Sequence, residues 1–193
     1  MWEFNEELKA RKENLINNGY DAYCLFTLNG LEINIANELN ELYDYCLATP
    51  LLKIAHRSKN GVRYDVEEIL LSGYIFVYLP KDREINYVRS NRHYFKILSN
   101  KNDNGRLAYK DLEYAGWVLD VEGLLTMSQA LKIDGKVKII SGPLKKLEGH
   151  IVEYSKKNRN CCIEIELLGR TIKTWLPFEW IDFDTDDLKT KQY

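Results

Sequence analysis

The chain has 193 residues, of which 45% are hydrophobic and 29% charged, and its 27 basic and 29 acidic side chains leave a formal net charge of −2. This is the composition of a globular protein, so wholesale disorder is excluded, and the length suits one domain or two small ones. No apolar run approaches the roughly 18 residues of a membrane-spanning helix. The first seven residues include acids where a signal peptide is basic, so a cytoplasmic protein without a membrane partner is expected.

The near-neutral charge is an average over three segments of different sign. Residues 1–132 hold 16 basic and 19 acidic side chains, and residues 133–181 hold nine basic and six acidic ones. Residues 182–193 form an acidic tail with four aspartates and two lysines. The total therefore conceals a mildly basic segment, and it does not exclude a nucleic-acid partner.

Strand and helix patterns alternate in the first part of the chain. In order, the predicted elements are a charged helical extension at 1–19, a strand at 20–27, an amphipathic helix at 31–45, strands at 51–56 and 68–79, a short helix at 82–92, a strand at 94–98 and a helix at 112–125. Asn60 and Gly61 form a turn typical of β-hairpins. We predict an α+β domain over residues 20–123, of βαββαβ type, with helices packed on an antiparallel sheet.

The second part of the chain reads as strands without a helix. Residues 124–133 lack a clear period and are predicted to be a linker. Residues 134–181 alternate apolar and polar side chains in four or five short strands separated by turns. Because a short sheet hides its edges by curling, this pattern predicts a small all-β barrel.

One segment of this second part has a specific order of features. Residues 136–153 give a strand, a turn at Gly142 and Pro143, a basic loop, Gly149 and another strand. The segment resembles the KOW motif of ribosomal proteins and transcription elongation factors, and residues 163–177 resemble the later strands of that barrel. Alone, the motif indicates a small barrel that contacts RNA or protein.

A second resemblance lies in the third predicted strand, which contains Leu71-Ser72-Gly73-Tyr74-Ile75-Phe76-Val77. It is similar to the third strand of the N-terminal (NGN) domain of the NusG family, which commonly reads Phe-Pro-Gly-Tyr-(Val/Ile)-(Phe/Leu)-Val. The order and spacing of elements match that family over residues 20–181. Residues 107–130 and the KOW loop look closest to the LoaP-like specialised antitermination paralogs. Leu71, Ser72 and Ala22 replace the usual phenylalanine, proline and tryptophan, which favours a diverged paralog over the housekeeping factor.

The resemblance implies a transcription elongation or antitermination factor. In the family, the first domain docks on the clamp helices of RNA polymerase and suppresses pausing. Such docking needs exposed aromatic and apolar side chains within a polar rim. Carried over by position, the polymerase-binding candidates are Tyr23, Phe26, Leu71, Tyr74 and Phe95. Alternate residues of a strand face the core, so a purely structural role is the competing interpretation for each of them.

The basic side chains of the second part suggest a nucleic-acid partner. Turns on one rim of a barrel can converge into a cationic surface that attracts phosphates. The RNA-binding candidates are Lys145, Lys146, His150, Lys156, Lys157, Arg159, Arg170 and Lys173. A hairpin of the first domain adds Lys53, His56, Arg57, Lys59 and Arg63. The competing interpretation is a set of solvated lysine-rich turns.

Other partners stay open at this stage. In general NusG factors the KOW domain binds the termination factor Rho or a ribosomal protein instead of RNA. A ribosome-associated RNA-binding barrel protein without polymerase contact is the alternative function. A monomer is expected.

Catalysis, metals and cofactors find no support in the sequence. The three histidines, His56, His93 and His150, lie in different segments without acid or nucleophile partners at useful spacing. No glycine pattern for binding nucleotides occurs. The cysteines contain no CxxC pair, so they are predicted to be core thiols rather than metal ligands. A binding protein, not an enzyme, is expected.

Overall fold

The computed structural model describes residues 2–98, 104–133, 136–155 and 159–181. The helices are α1 (Glu6–Asn18), α2 (Glu32–Leu42) and α3 (Tyr109–Asp120), with 3-10 turns at Ile85–Tyr87, Pro143–Lys145 and Glu148–His150. The strands are β1 (Tyr20–Phe26), β2 (Leu47–Pro50), β3 (Leu52–Lys59), β4 (Val62–Ile69), β5 (Tyr74–Pro80), β6 (Lys96–Leu98), β7 (Leu124–Leu125), β8 (Ser128–Ile133), β9 (Lys136–Ser141), β10 (Ile151–Ser155), β11 (Asn160–Leu167) and β12 (Arg170–Trp180). In this described part of the chain, no helix has the length and apolar character needed to cross a membrane.

The fold is α+β, as the sequence predicts, and its contacts divide the chain into two compact units. The first unit comprises residues 1–125 and 165–172, and the second comprises residues 126–164 and 173–193. The first unit contains a four-stranded sheet in the order β2-β5-β1-β6 and a three-stranded sheet in the order β4-β3-β7. The strands from β8 to β12 form a sheet in the order β10-β11-β12-β8-β9. The strands predicted for residues 134–181 are thus present, while a closed barrel stays a prediction.

The apolar run that predicts a central strand forms β5. This strand pairs antiparallel with β1 on one side and with β2 on the other, and its residues from Ile75 to Leu79 are fully buried. The prediction of one strand over residues 68–79 is wrong, because β4 pairs with β3 whereas β5 pairs with β1 and β2. The chain turns between the two sheets at Leu71 to Tyr74, where Tyr74 N donates to Leu71 O at 3.2 Å.

The two faces of the four-stranded sheet bury different side chains. One face carries Leu25, Val77 and Leu79, which belong to a core cluster with Ile35 and Leu39 of α2. The other face packs on α3: the Phe76 and Tyr114 ring centroids lie 5.9 Å apart, and Tyr78 Oη donates to Ala115 O at 2.7 Å. Both faces are therefore covered, so alternation along a strand does not separate core residues from surface residues here.

Helix α1 is part of the first core rather than an appendage. Asn5 caps it by accepting from Leu8 N at 3.0 Å, and Trp2, Leu8 and Leu15 are buried. Arg11 Nη1 donates to three carbonyl oxygens that follow or end α2, those of Asn40, Tyr43 and Cys46, at 2.8, 2.9 and 3.0 Å. The guanidinium thus binds carbonyl oxygens of the last turn of α2 and of the segment that follows it. The apolar spacing within residues 1–19 is incomplete. It does not reveal how this helix packs, because much of the contact is made by the charged residue Arg11.

The helix predicted at residues 82–92 is wrong, since a single 3-10 turn at Ile85–Tyr87 replaces it. The Glu38 carboxylate of α2 accepts from Ser90 Oγ, Asn91 N and Arg92 N at 2.6, 2.7 and 3.2 Å. Burial opposes ionisation of Glu38, yet these hydrogen bonds hold its pKa below the usual value. Long-range partners therefore take the backbone donors that a helix would have used.

The segment predicted as a linker forms two strands. Leu124 and Leu125 pair in parallel with β3, and β8 pairs with both β9 and β12. Two of its buried residues, Ser128 and Ala130, are small, which weakens the apolar alternation. A Cβ on Gly142 would lie 2.7 Å from the Cα of Ser128, so this close backbone approach leaves no room for a side chain at Gly142.

Candidate protein-binding and RNA-binding surfaces

Two of the predicted polymerase-binding residues form an accessible aromatic pair. Phe26 ends β1 and Tyr74 begins β5, and the two are directly opposite in the strand register. Their ring centroids lie 5.5 Å apart at 76°, an edge-to-face contact. Phe26 is 38% exposed and Tyr74 is half-buried. We call Phe26 and Tyr74 the aromatic pair.

Gly73 provides the space that the aromatic pair needs. A Cβ at this residue would lie 2.8 Å from Cε2 of Phe26 and 3.0 Å from the carbonyl oxygen of Thr27. Its φ of 84° is in the region that favours glycine, and Thr27 N donates to Gly73 O at 2.9 Å. A glycine at position 73 is therefore required in this chain by its backbone conformation and by the short distance to Phe26.

Glu32 holds the two turns on which the aromatic pair rests. It is 1% exposed, and its carboxylate accepts from Gly30 N at 2.8 Å and from Gly73 N at 2.6 Å. One side chain at the start of α2 therefore joins the turn after β1 to the turn before β5. Sequence reasoning missed this residue: an acid in a first helical turn is an ordinary signal, and the bond to Gly73 spans 41 residues.

Further exposed apolar side chains lie beside the aromatic pair. Leu28 is 75% exposed in the turn that follows β1, and Tyr94 is 82% exposed. Thr27 Oγ1 donates to Tyr94 O at 3.0 Å, which ties the two segments together. A row of apolar groups next to polar turns is the composition of a protein-binding surface.

The other three polymerase-binding candidates are not accessible in the same way. Tyr23 is 2% exposed and Leu71 is 4% exposed, so both belong to the interior. Phe95 is half-buried and packs against the core cluster of the first unit. Tyr23 also accepts a hydrogen bond from Arg106 Nε at 3.4 Å through its hydroxyl oxygen. The competing core interpretation therefore holds for Tyr23 and Leu71, whereas the aromatic pair stays available to a partner.

The lysines of the KOW-like loop differ in their surroundings. Lys145 and Lys146 are both exposed; Lys145 ends the 3-10 turn Pro143–Lys145, and Lys146 follows it. Lys145 Nζ donates to Ile139 O at 3.0 Å, so its ammonium group is anchored on β9. Arg159 is exposed at a turn with a φ of 52°. Lys156 and Lys157 lie outside the described residues.

The structure brings two more RNA-binding candidates to one acidic residue. Lys173 Nζ lies 2.6 Å from Glu164 Oε2, and His150 Nδ1 lies 3.2 Å from the backbone oxygen of Glu164. The hydrogen bond and the charge of Glu164 raise the pKa of Lys173. This lysine therefore stays charged, but its partner offsets the charge that a phosphate would meet.

Arg170 contacts one member of the aromatic pair. Its Nη1 donates to Tyr74 Oη at 3.1 Å, and both residues belong to the first compact unit. Among the described basic candidates, Lys145 and Lys146 share a loop, Lys173 and His150 share Glu164, and Arg170 contacts Tyr74 of the aromatic pair.

All four cysteines are buried thiols, as predicted. Burial raises the pKa of the Cys46 and Cys161 thiols to about 12, so these groups are neutral near pH 7. Within the described residues, no group of three or more His, Cys, Asp and Glu side chains is placed to hold a metal ion.

No protein-family model matches the sequence, and no curated protein matches it. Among solved structures, the chain is similar to one described as showing domain interaction in Thermotoga maritima NusG. The two are 20% identical, the match covers 82% of this chain and 94% of that chain, and the TM-score is 0.47. This distant likeness says nothing about the partners of the present chain.

Proposed function

We propose that this chain is a transcription elongation or antitermination factor of NusG type, close to the LoaP-like paralogs, that acts by binding and not by catalysis. Its first unit binds the clamp helices of RNA polymerase and suppresses pausing or termination. Residues 134–181, a KOW barrel, contact nascent RNA or another factor. The proposal begins from the sequence resemblance in the third strand and in the KOW-like segment.

The observation that carries the proposal is the aromatic pair. A projecting helix pair presents ridges of side chains, and a binding surface for it needs aromatic groups that are exposed before the partner arrives. Phe26 is 38% exposed, and Gly73 and Glu32 hold the backbone below it. An aromatic side chain whose backbone is already fixed loses little conformational entropy when a partner binds, and this favours affinity.

Truncating the aromatic pair tests the polymerase contact. The double variant Phe26→Ala with Tyr74→Ala is expected to bind purified core RNA polymerase at least tenfold more weakly, because central aromatic residues each contribute about 2 kcal/mol at such interfaces. The measurement is retention of polymerase by the full chain, followed by titration.

Ile16→Ala on α1 is the matched control, since Ile16 is 50% exposed and apolar but lies on a different element. Equal polymerase affinity in wild type and the double variant, or no polymerase retention by wild type, contradicts the proposal. The latter result favours a ribosome-associated RNA-binding protein instead.

The KOW-like loop gives a separate prediction about RNA. Lys145→Ala with Lys146→Ala is expected to weaken RNA binding and to reduce the slope of log affinity against log salt by about 0.7 for each phosphate that the variant no longer neutralises. The control is Lys81→Ala with Lys110→Ala, two exposed lysines of the first unit that change the net charge equally. An unchanged salt slope leaves the loop lysines as solvated residues, and it favours Rho or a ribosomal protein as the partner of the second unit.

A further inference from the structure

The hairpin of β3 and β4 exposes a face that the proposed function does not use. The two strands pair over their whole length, from Leu52 opposite Ile69 to Lys59 opposite Val62. Strand β7 pairs only with Leu52 and Lys53, at the base of the hairpin. Towards the turn, Val62 is 66% exposed and Tyr64 is 45% exposed. Neither side chain is among the buried residues of the core.

The strand register places three of the four lysines and arginines of the hairpin on one face, and the fourth, Arg63, on the other. Side chains alternate between faces, and directly opposite residues share one. One face therefore carries Lys53, Arg57 and Lys59 together with their partners Glu68, Tyr64 and Val62. Asp65 and Glu67 are exposed residues of the other face. The first face holds three cations and one acid, and we call it the cationic hairpin face.

Tyr64 and Arg57 form the centre of the cationic hairpin face. They are directly opposite in the register, and the Arg57 side chain is 58% exposed. Arg57 Nε donates to Glu68 Oε1 at 2.9 Å, which holds the guanidinium over the strands. An exposed ring beside a planar cation is a platform on which a base can stack, and neighbouring lysines attract the phosphates. The cations lie in a row about 20 Å long along β3.

We propose that the cationic hairpin face binds single-stranded RNA, with Tyr64 stacking on a base and Lys59 contacting the backbone. A paired duplex hides its base faces, so an exposed stacking group favours a single strand. The choice of RNA over DNA rests on the proposed function, in which a nascent transcript is the single strand within reach. The binding itself does not depend on polymerase.

The test is fluorescence anisotropy of the full chain with a labelled single-stranded RNA 12-mer of mixed sequence. Tyr64→Ala is expected to weaken binding about tenfold, the contribution of one base stack, while Tyr64→Phe keeps wild-type affinity. Lys59→Gln is expected to lower the salt slope by about 0.7. Tyr87→Ala is the control, since Tyr87 is 72% exposed but lies outside the hairpin.

Two further measurements distinguish this proposal from the proposed RNA contact of the KOW-like loop. Tyr64→Ala is expected to weaken RNA binding also in a chain in which Lys145 and Lys146 are both replaced by alanine. The proposal can therefore hold even if the KOW-like loop does not bind RNA. Equal affinity of wild type and Tyr64→Ala for RNA overturns the proposal. Binding of a DNA 12-mer as tight as or tighter than the RNA overturns the assignment to RNA.

Discussion

Replacing Gly123 by alanine is expected to lower the free energy of unfolding by about 4 kcal/mol, the sum of backbone strain and overpacking. Gly123 has a φ of 74°, and an added Cβ would overlap Thr49 Oγ1 and lie 2.5 Å from Pro50 O. The residue cannot move away easily, because Leu52 N donates to Gly123 O at 2.7 Å and Gly123 N donates to Val118 O at 3.1 Å.

The chain offers a matched control for this loss. Gly61, at the turn of the hairpin, has a φ of 78°, but no atom lies within 4 Å of its added Cβ. Gly61→Ala therefore carries the backbone strain alone, about 1 to 2 kcal/mol. Urea unfolding of both variants measures the difference. Equal losses in the two variants would show that the junction between α3 and β7 relaxes around the methyl group.

Replacing Glu32 by leucine is expected to cost about 3 kcal/mol of stability, because the buried N–H of Gly73 and the part-buried N–H of Gly30 lose their acceptor. Those groups belong to Gly30 and Gly73, so the turns that hold Phe26 and Tyr74 separate. The affinity of Glu32→Leu for core RNA polymerase is therefore expected to fall, although Phe26 and Tyr74 are themselves unchanged. Glu32→Gln keeps one acceptor oxygen and is expected to show about half of the stability loss.

Glu41→Gln is the control for Glu32, since Glu41 is an exposed acid on the same helix. Its stability is expected to change by no more than about 0.5 kcal/mol. Thermal unfolding and polymerase titration of the three variants are measured together. Wild-type polymerase affinity in folded Glu32→Leu would mean that the aromatic pair is not positioned through this carboxylate.

Local pattern predicted several elements well. A few neighbouring residues were enough to predict three features: the apolar strand β5, the helix α2 and the turn at Asn60-Gly61. Such signals fail where long-range partners replace local bonds. The Glu38 carboxylate takes the backbone donors of Asn91 and Arg92, and β8, predicted as part of a linker, pairs with the distant strand β12.

The candidate polymerase-binding residues were likewise only partly predictable from local sequence. Composition and order pointed to Phe26 and Tyr74, but also to Tyr23 and Leu71, which are buried. With both faces of the sheet covered, exposure depends on where a strand ends rather than on alternation. Phe26 is accessible because it is the last residue of β1.

By itself, the sequence determined the fold class, the order of most elements and the presence of a basic KOW-like segment, since these depend on neighbouring residues. Tertiary structure alone decided that α1 joins the core, that Glu32 reaches Gly73, and that Lys53, Arg57 and Lys59 share one face of the hairpin. The physical reason is that pairing between distant residues sets burial and register, and no local pattern encodes which distant residue becomes the partner.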